Sequence, residues 1–273
     1  MSAVPRMTTR LLGRGLAGFA ALLLGLALFE AVQAPIIGSI GGARGLAMLM
    51  NALPPALLAF TRTRPEFIAM SGLEGYLALG FTHPLYIVLT AAAVVGFAAR
   101  SLAGEIERGT IQIALARPIS RPAVYASRVV GVAVVCLSLA VVGPLGMVAG
   151  MLIVRPDGTL HPSHFVPLAI GTTALFWAIG GLTLFGSAAA STSGRVVGWA
   201  IGALLLSYFI DYFSSIWRVV RPLEIVSIFH YYDPSNALVH GSVAPRNLLV
   251  LFVAGLCGAL AGLAVFTRRD LPG

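Results

Sequence analysis

The chain contains no lysine: all 18 basic residues are arginine. That absence removes two chemistries. A Walker-type loop needs a Gly-Lys pair to reach terminal phosphates, and Schiff-base catalysis needs a lysine amine. Any ATP used with this protein must therefore be held by another polypeptide. Charge of either sign is scarce, at 10% of 273 residues against 58% hydrophobic residues, where a soluble domain carries about 25%. Cysteine is scarce too. Cys136 and Cys257 both fall inside apolar runs, so they read as small buried hydrophobes, with no disulfide framework and no metal cluster. No internal repeat, low-complexity segment or separate polar domain interrupts the chain.

What the chain has in quantity is long apolar runs, with a mean hydropathy of +0.92. They predict an all-α integral membrane protein forming a single domain over residues 1–273, with six transmembrane helices. The runs cover residues 16–37, 76–99, 126–154, 166–190, 196–217 and 247–267, with a break at Gly143-Pro144 in the third. The segment before the first run is weakly amphipathic and suits the membrane interface. No small-x-small cleavage site stands near Glu30, so a cleaved signal peptide is not expected.

Arginine sets the expected orientation. With six spans both termini share a side, and that side collects Arg6, Arg10, Arg14, Arg100, Arg108, Arg117, Arg121, Arg128, Arg195, Arg268 and Arg269. The positive-inside rule makes it cytoplasmic. Their placement at the ends of apolar runs points to lipid headgroups, with no nucleic-acid partner. Gly45 to Phe60 is apolar but short and split by Pro54-Pro55. As a seventh span it would turn the arginines after the second run outward, so it is expected as an amphipathic or re-entrant element in the first outer loop.

Ionisable residues inside apolar runs are functional candidates by default. Glu30 and Asp211 each lie 16 residues after an inner-boundary arginine, Arg14 and Arg195. That is roughly 24 Å of helix, which puts both near the outer interface as possible pathway residues. The histidine pair of His161 and His164 reads as a solvated outer loop rather than a metal site. His83, His230 and His240 fall at outer boundaries, and no histidine lies deep in a run beside a serine nucleophile. Gly258 and Gly262 form a GxxxG in the last run, which suits packing within the chain or between subunits. Tyr208, Tyr212, Trp217, Tyr231 and Tyr232 fit an outer aromatic belt.

The most unusual stretch is EIERGTIQIALARPISR, Glu105 to Arg121, on the expected inner side between the second and third runs. Residues 101–108 read as a short helix, with Glu105 and Arg108 spaced for an intrahelical pair. Gly109 can take the left-handed conformation that stops a helix, and Thr110 can cap a new one. Ile111, Leu115 and Ile113 give that second helix an apolar face, and Pro118 ends it. Ser120 can cap the third run with Pro122 in its first turn. A solvated connector has no need of that greasy face, so the element is expected to dock a soluble partner.

These residues resemble the cytoplasmic coupling region of type 2 ATP-binding-cassette (ABC) transporter permeases. The shared pattern is Glu105, Glu107, Gly109, Thr110, the apolar stretch from Ile111 to Leu115, Arg117, Pro118, Ser120 and Arg121. FHYYDPSNAL, Phe229 to Leu238, and FTRRDL, Phe266 to Leu271, are similar to later parts of the same family. The resemblance implies a coupling helix between helices 2 and 3 and a half-transporter in the plasma membrane, used for export. Two permease subunits, as a homodimer or heterodimer, would form the pathway. Two separate ATP-binding subunits would bind ATP and Mg, leaving no cofactor and no catalysis to this chain. A noncatalytic membrane scaffold or assembly protein is the alternative class. An ion-coupled secondary transporter is a third, weakened by the outer placement of Glu30 and Asp211.

Overall fold

Helices form where the apolar runs predict them, and their ends fall at residues that can satisfy or forgo backbone hydrogen bonds. The computed structural model describes residues 3–13, 15–39, 41–42, 45, 48, 52, 54, 65–112, 116, 119–155, 158 and 160–270. Most of the Gly45 to Phe60 element lies outside the described residues. Among those described there are helices and no strand, and six helical stretches are long and apolar enough to cross a membrane.

The chain begins with α1 (Ala3–Gly13), followed by α2 (Leu16–Ala31) and α3 (Gln33–Ser39), which together make the first span. Helix α4 (Pro65–Thr82) is kinked at Gly72, whose φ of 59° is open to glycine. Helix α5 (Pro84–Ser101) is the second span. A short α6 (Ala103–Glu107) precedes α7 (Arg121–Ile153), the third span. A 3₁₀ turn at Pro162–His164 leads into α8 (Phe165–Ala189), and α9 (Ser193–Ile216) follows. Two 3₁₀ turns, Arg221–Val226 and Ile228–Tyr231, connect to α10 (Pro234–His240) and the last span, α11 (Pro245–Arg268).

Two details differ from the sequence reading. The second run does not form one helix from residue 76. His83 is extended and its Nδ1 accepts the Leu85 N–H at 3.2 Å, so α5 starts afresh at Pro84 and residues 76–82 belong to α4. Pro in the first turn of α5 gives up no intrahelical bond, which is why the apolar run can split there. Conversely, α7 continues through Pro144. Neighbouring helices stabilise such a proline in a membrane helix, where in water it would tend to break the helix. The 33 residues of α7 measure about 50 Å against a hydrocarbon core of about 30 Å, so one part must project beyond the apolar layer.

Both termini lie at one end of the bundle. The Thr8 hydroxyl donates to the Ser127 carbonyl at 3.2 Å, and Arg121 donates to the Arg269 carbonyl at 2.7 Å. Small residues let the helices approach closely. Gly146 and Gly150 of α7 face the α2 backbone at Ala27 and Ala31, where a side chain would collide. Gly181 of α8 meets Gly255 and Gly258 of α11 in the same way, and Gly262 lies under Tyr125. The GxxxG of the last run therefore packs within this chain. Tyr231 and Tyr232 are buried, so they belong to the interior and not to an aromatic belt. The Tyr232 hydroxyl lies 3.2 Å from the Thr172 hydroxyl.

Candidate functional site

The segment that the sequence singles out lies at the terminal end of the bundle. Leu102, with φ −124° and ψ −63°, breaks the path between α5 and α6. Ser187 of α8 holds this joint: its Oγ accepts the Ala103 N–H and donates to the Ala99 carbonyl, both at 3.0 Å. Helix α6 ends as the sequence predicts. The Gly109 N–H donates to the Ile106 carbonyl at 3.0 Å, and Gly109 takes φ 67°. A side chain at Gly109 would meet open space, so the requirement for glycine there is conformational alone.

Thr110 stands between α6 and the helical residues Ile111 and Gln112, and residues 113–115 that follow lie outside the described residues. The Thr110 hydroxyl donates back to the Glu105 carbonyl at 3.3 Å, closing the end of α6. Glu105 is not paired along its own helix with Arg108. Its Oε2 accepts from Arg128 Nη2 at 2.7 Å, and both side chains are almost fully enclosed. Arg128 sits two turns into α7, so this pair ties α6 to the third span. An isolated charge of either sign in this position would be costly; the pairing of opposite charges offsets that cost.

The other charges at this end also join different elements. Arg121 donates to the carbonyls of Thr267 and Arg269 as α11 ends. Arg269 donates to the carbonyls of Ala188 and Ala190 and to the Ser191 hydroxyl, where α8 ends. Cationic donors at helix C-termini meet both the unpaired carbonyls and the negative end of the dipole. Glu107 provides the opposite match. It accepts the Ser193 N–H at 3.0 Å and the Ser193 hydroxyl at 2.8 Å at the start of α9. Those bonds, the backbone one first, and then Arg108 nearby hold its carboxyl below the usual carboxylate range. Ser120 caps α7 as expected, accepting the Ala123 N–H at 3.4 Å.

Contrary to what its spacing predicts, Ile111 does not lie on an apolar face open to a partner: it is 2% exposed. It packs with Leu102, Ile106, Val124, Tyr125 and Phe266 in the chain's own interior. The alternation of apolar residues was legible; the presence of α7 and α11 beside it was not. Leu115, Arg117 and Pro118 lie outside the described residues. Within the described part, then, Glu105, Ile111 and Arg121 brace the segment from inside, while Glu107, Gly109 and Ser120 are on its exposed side.

The two pathway candidates are not brought into this site. Glu30 is fully enclosed in α2 against Gly80 of α4, and neither carboxylate oxygen has a hydrogen-bond partner among the described residues. Asp211 is half-buried in α9, where its carbonyl accepts from the Ser214 hydroxyl. Sequence reasoning missed Glu74, which is buried in α4 and meets His161 and His164. The signal was present: a lone carboxylate in the apolar stretch GLEGYLALGF, the same feature that drew attention to Glu30.

At this joint one short helix, α6, is anchored to α5, α7, α8, α9 and α11. A family model described as ABC-2 family transporter protein matches residues 61–271, which include this joint and every span after the first. No curated protein matches the chain.

Proposed function

We propose, because this chain belongs to the ABC-2 transporter family, that it is the permease half of an ATP-driven exporter, moved by its partner through the Glu105 to Arg121 segment. The chain is a multi-pass plasma-membrane protein and a membrane permease component of an ABC transporter. Its family partner is an ABC ATP-binding subunit. In our reading two ATP-binding subunits, carrying ATP and Mg, dock at the terminal end of two permeases. With no lysine in this chain, nucleotide chemistry falls to the partner.

The observation that carries this reading is the way α6 is held. Motion is transmitted only by an element that is stiff and contacts its neighbours differently in two states. Helix α6 is fixed by the Glu105–Arg128 pair, by Ser187 and by the Ile111 cluster. A push on the exposed side at Glu107 and Gly109 would reach α5, α7 and α8 together. The expected cytoplasmic position of this end follows from its arginines. Pairing of two permeases is supported by α9, whose Gly194, Gly198 and Gly202 face open space and whose Trp199 is 82% exposed. Glu30 and Asp211 remain our pathway residues, to be uncovered as helices separate.

The test is purification of the full chain from its native membrane in mild detergent. An ABC ATP-binding subunit should accompany it in stoichiometric amount, and ATP hydrolysis should belong to the complex and not to the chain alone. A chain that purifies without that subunit from membranes that contain it would overturn the coupling proposal and favour a scaffold.

A further inference from the structure

We propose that Glu74, His161 and His164 form a binding site for a divalent first-row transition ion, Zn²⁺ being the best match, at the end of the bundle away from the termini. Glu74 lies just after the Gly72 kink of α4, His161 precedes the 3₁₀ turn, and His164 closes it. One ligand atom from each residue falls within 4.8 Å of the others. The Glu74 Oε1 is 3.0 Å from Nδ1 of His161 and 3.6 Å from Nδ1 of His164. The two rings stack with centroids 4.8 Å apart.

The donor set is what such an ion prefers. Zn²⁺ takes imidazole nitrogen and carboxylate oxygen at about 2.0–2.2 Å, so the three groups need to draw together by on the order of 1 Å. They are already oriented by neighbours of the kind that surround metal ligands. The His161 backbone N–H donates to Glu74 Oε1 at 2.8 Å, and His164 Nδ1 lies 2.6 Å from the Leu238 carbonyl of α10. On binding, the His164 ring would keep its Nδ1–H for the Leu238 carbonyl and offer Nε2 to the ion. The Glu74 side chain is only 7% exposed, and no arginine pairs with it among the described residues. A buried carboxylate flanked by two imidazoles is a cation site by charge. His161 is 60% exposed on the solvent side, which provides an entry path and room for a water as fourth ligand. Three ligands plus water bind reversibly, and the ion would link α4 to the turn that starts α8 and, through Leu238, to α10.

The experiment uses the full chain without a polyhistidine tag, in a Cys257→Ala background so that the one exposed thiol cannot ligate. After chelator treatment, Co²⁺ is titrated and its visible absorption recorded, then Zn²⁺ is added in competition. One ion per chain is expected, with displacement of Co²⁺ by Zn²⁺ and a higher unfolding temperature in the bound form. His161→Asn changes a mostly exposed side chain and should keep the fold by circular dichroism, yet weaken binding by at least about tenfold. Glu74→Gln should do the same; if it fails to fold, His161→Asn alone decides. Absence of saturable binding by the parent chain, or equal affinity in folded His161→Asn, overturns the proposal and leaves a hydrogen-bonded cluster only.

Discussion

At the terminal end of the bundle Glu105, Glu107, Arg121 and Arg269 each reach across to another element, and Glu105 has Arg128 at 2.7 Å. At the far end Glu30 is enclosed to the same degree with no donor to either oxygen among the described residues. The difference is informative because burial alone is equally unfavourable in both places. Paired charge at helix ends fixes the angles between helices, so α5 to α8 should move together at that end. An unmet carboxylate fixes nothing. It lowers stability where it sits, and intramembrane carboxylates kept under those terms serve a pathway more often than a fold.

The largest effect should come from breaking the buried pair. Arg128→Ala removes the enclosed cation that faces Glu105, at a cost of about 3–5 kcal/mol. Thermal unfolding in detergent, with the yield of monodisperse protein, measures it. The double variant Glu105→Leu, Arg128→Met should recover most of the stability, since an apolar pair of similar volume requires no charge to be solvated. A double variant as unstable as the single one would show that the pair is not what makes this end rigid.

The same measurement at the far end should move the other way. Glu30→Leu removes an unsatisfied buried group and should raise stability by about 1–3 kcal/mol. A fall comparable to that of Arg128→Ala would mean that Glu30 is held by a structural partner, and the contrast between the ends would dissolve. The smallest effect concerns Glu107. Its carboxyl is held below the ordinary value of 4.5 by Ser193, so its contribution is present above that value and is lost as pH falls through the lowered one. Unfolding temperature should therefore fall on acidification below the ordinary carboxylate range. Part of that fall should be missing in Glu107→Gln and in Ser193→Ala. Identical acid profiles for all three proteins would remove Glu107 as the tie to α9.

Much of this architecture can be read from the residues in order. Runs of 20 or so apolar residues can only be helices in a bilayer, because each backbone group is then satisfied within its own segment. Local devices were equally plain: Ser120 as a cap, Gly109 as a left-handed stop, Pro122 in a first turn. Partners distant in sequence were not. Glu105 looks nearer to Arg108 than to Arg128, and only the fold of α6 onto α7 decides between them. Ile111 reads as a surface residue until α11 brings Phe266 over it. The split at His83 is marked by Pro84, which pushes the residue before it out of the helical region, but a membrane helix can also run on through a proline, as α7 does at Pro144, so the mark alone does not decide. Glu74 and the two histidines are joined only by tertiary contact: the lone carboxylate stands out in its apolar stretch, but nothing in the order of residues places it beside His161 and His164.

Whether the Glu105 to Arg121 segment transmits the partner's motion is most directly tested at Gly109, where no side-chain packing is disturbed. Gly109→Val places a β-branched residue at φ 67°, a conformation such residues resist. The variant should be inserted and folded, since the residue is exposed and the Glu105–Arg128 pair remains. Co-purification with the ATP-binding subunit, and ATP hydrolysis by the purified complex, are then compared with the parent chain. The account predicts a correctly inserted permease that loses the subunit or its transport-linked hydrolysis. Wild-type association together with wild-type hydrolysis and transport would contradict it.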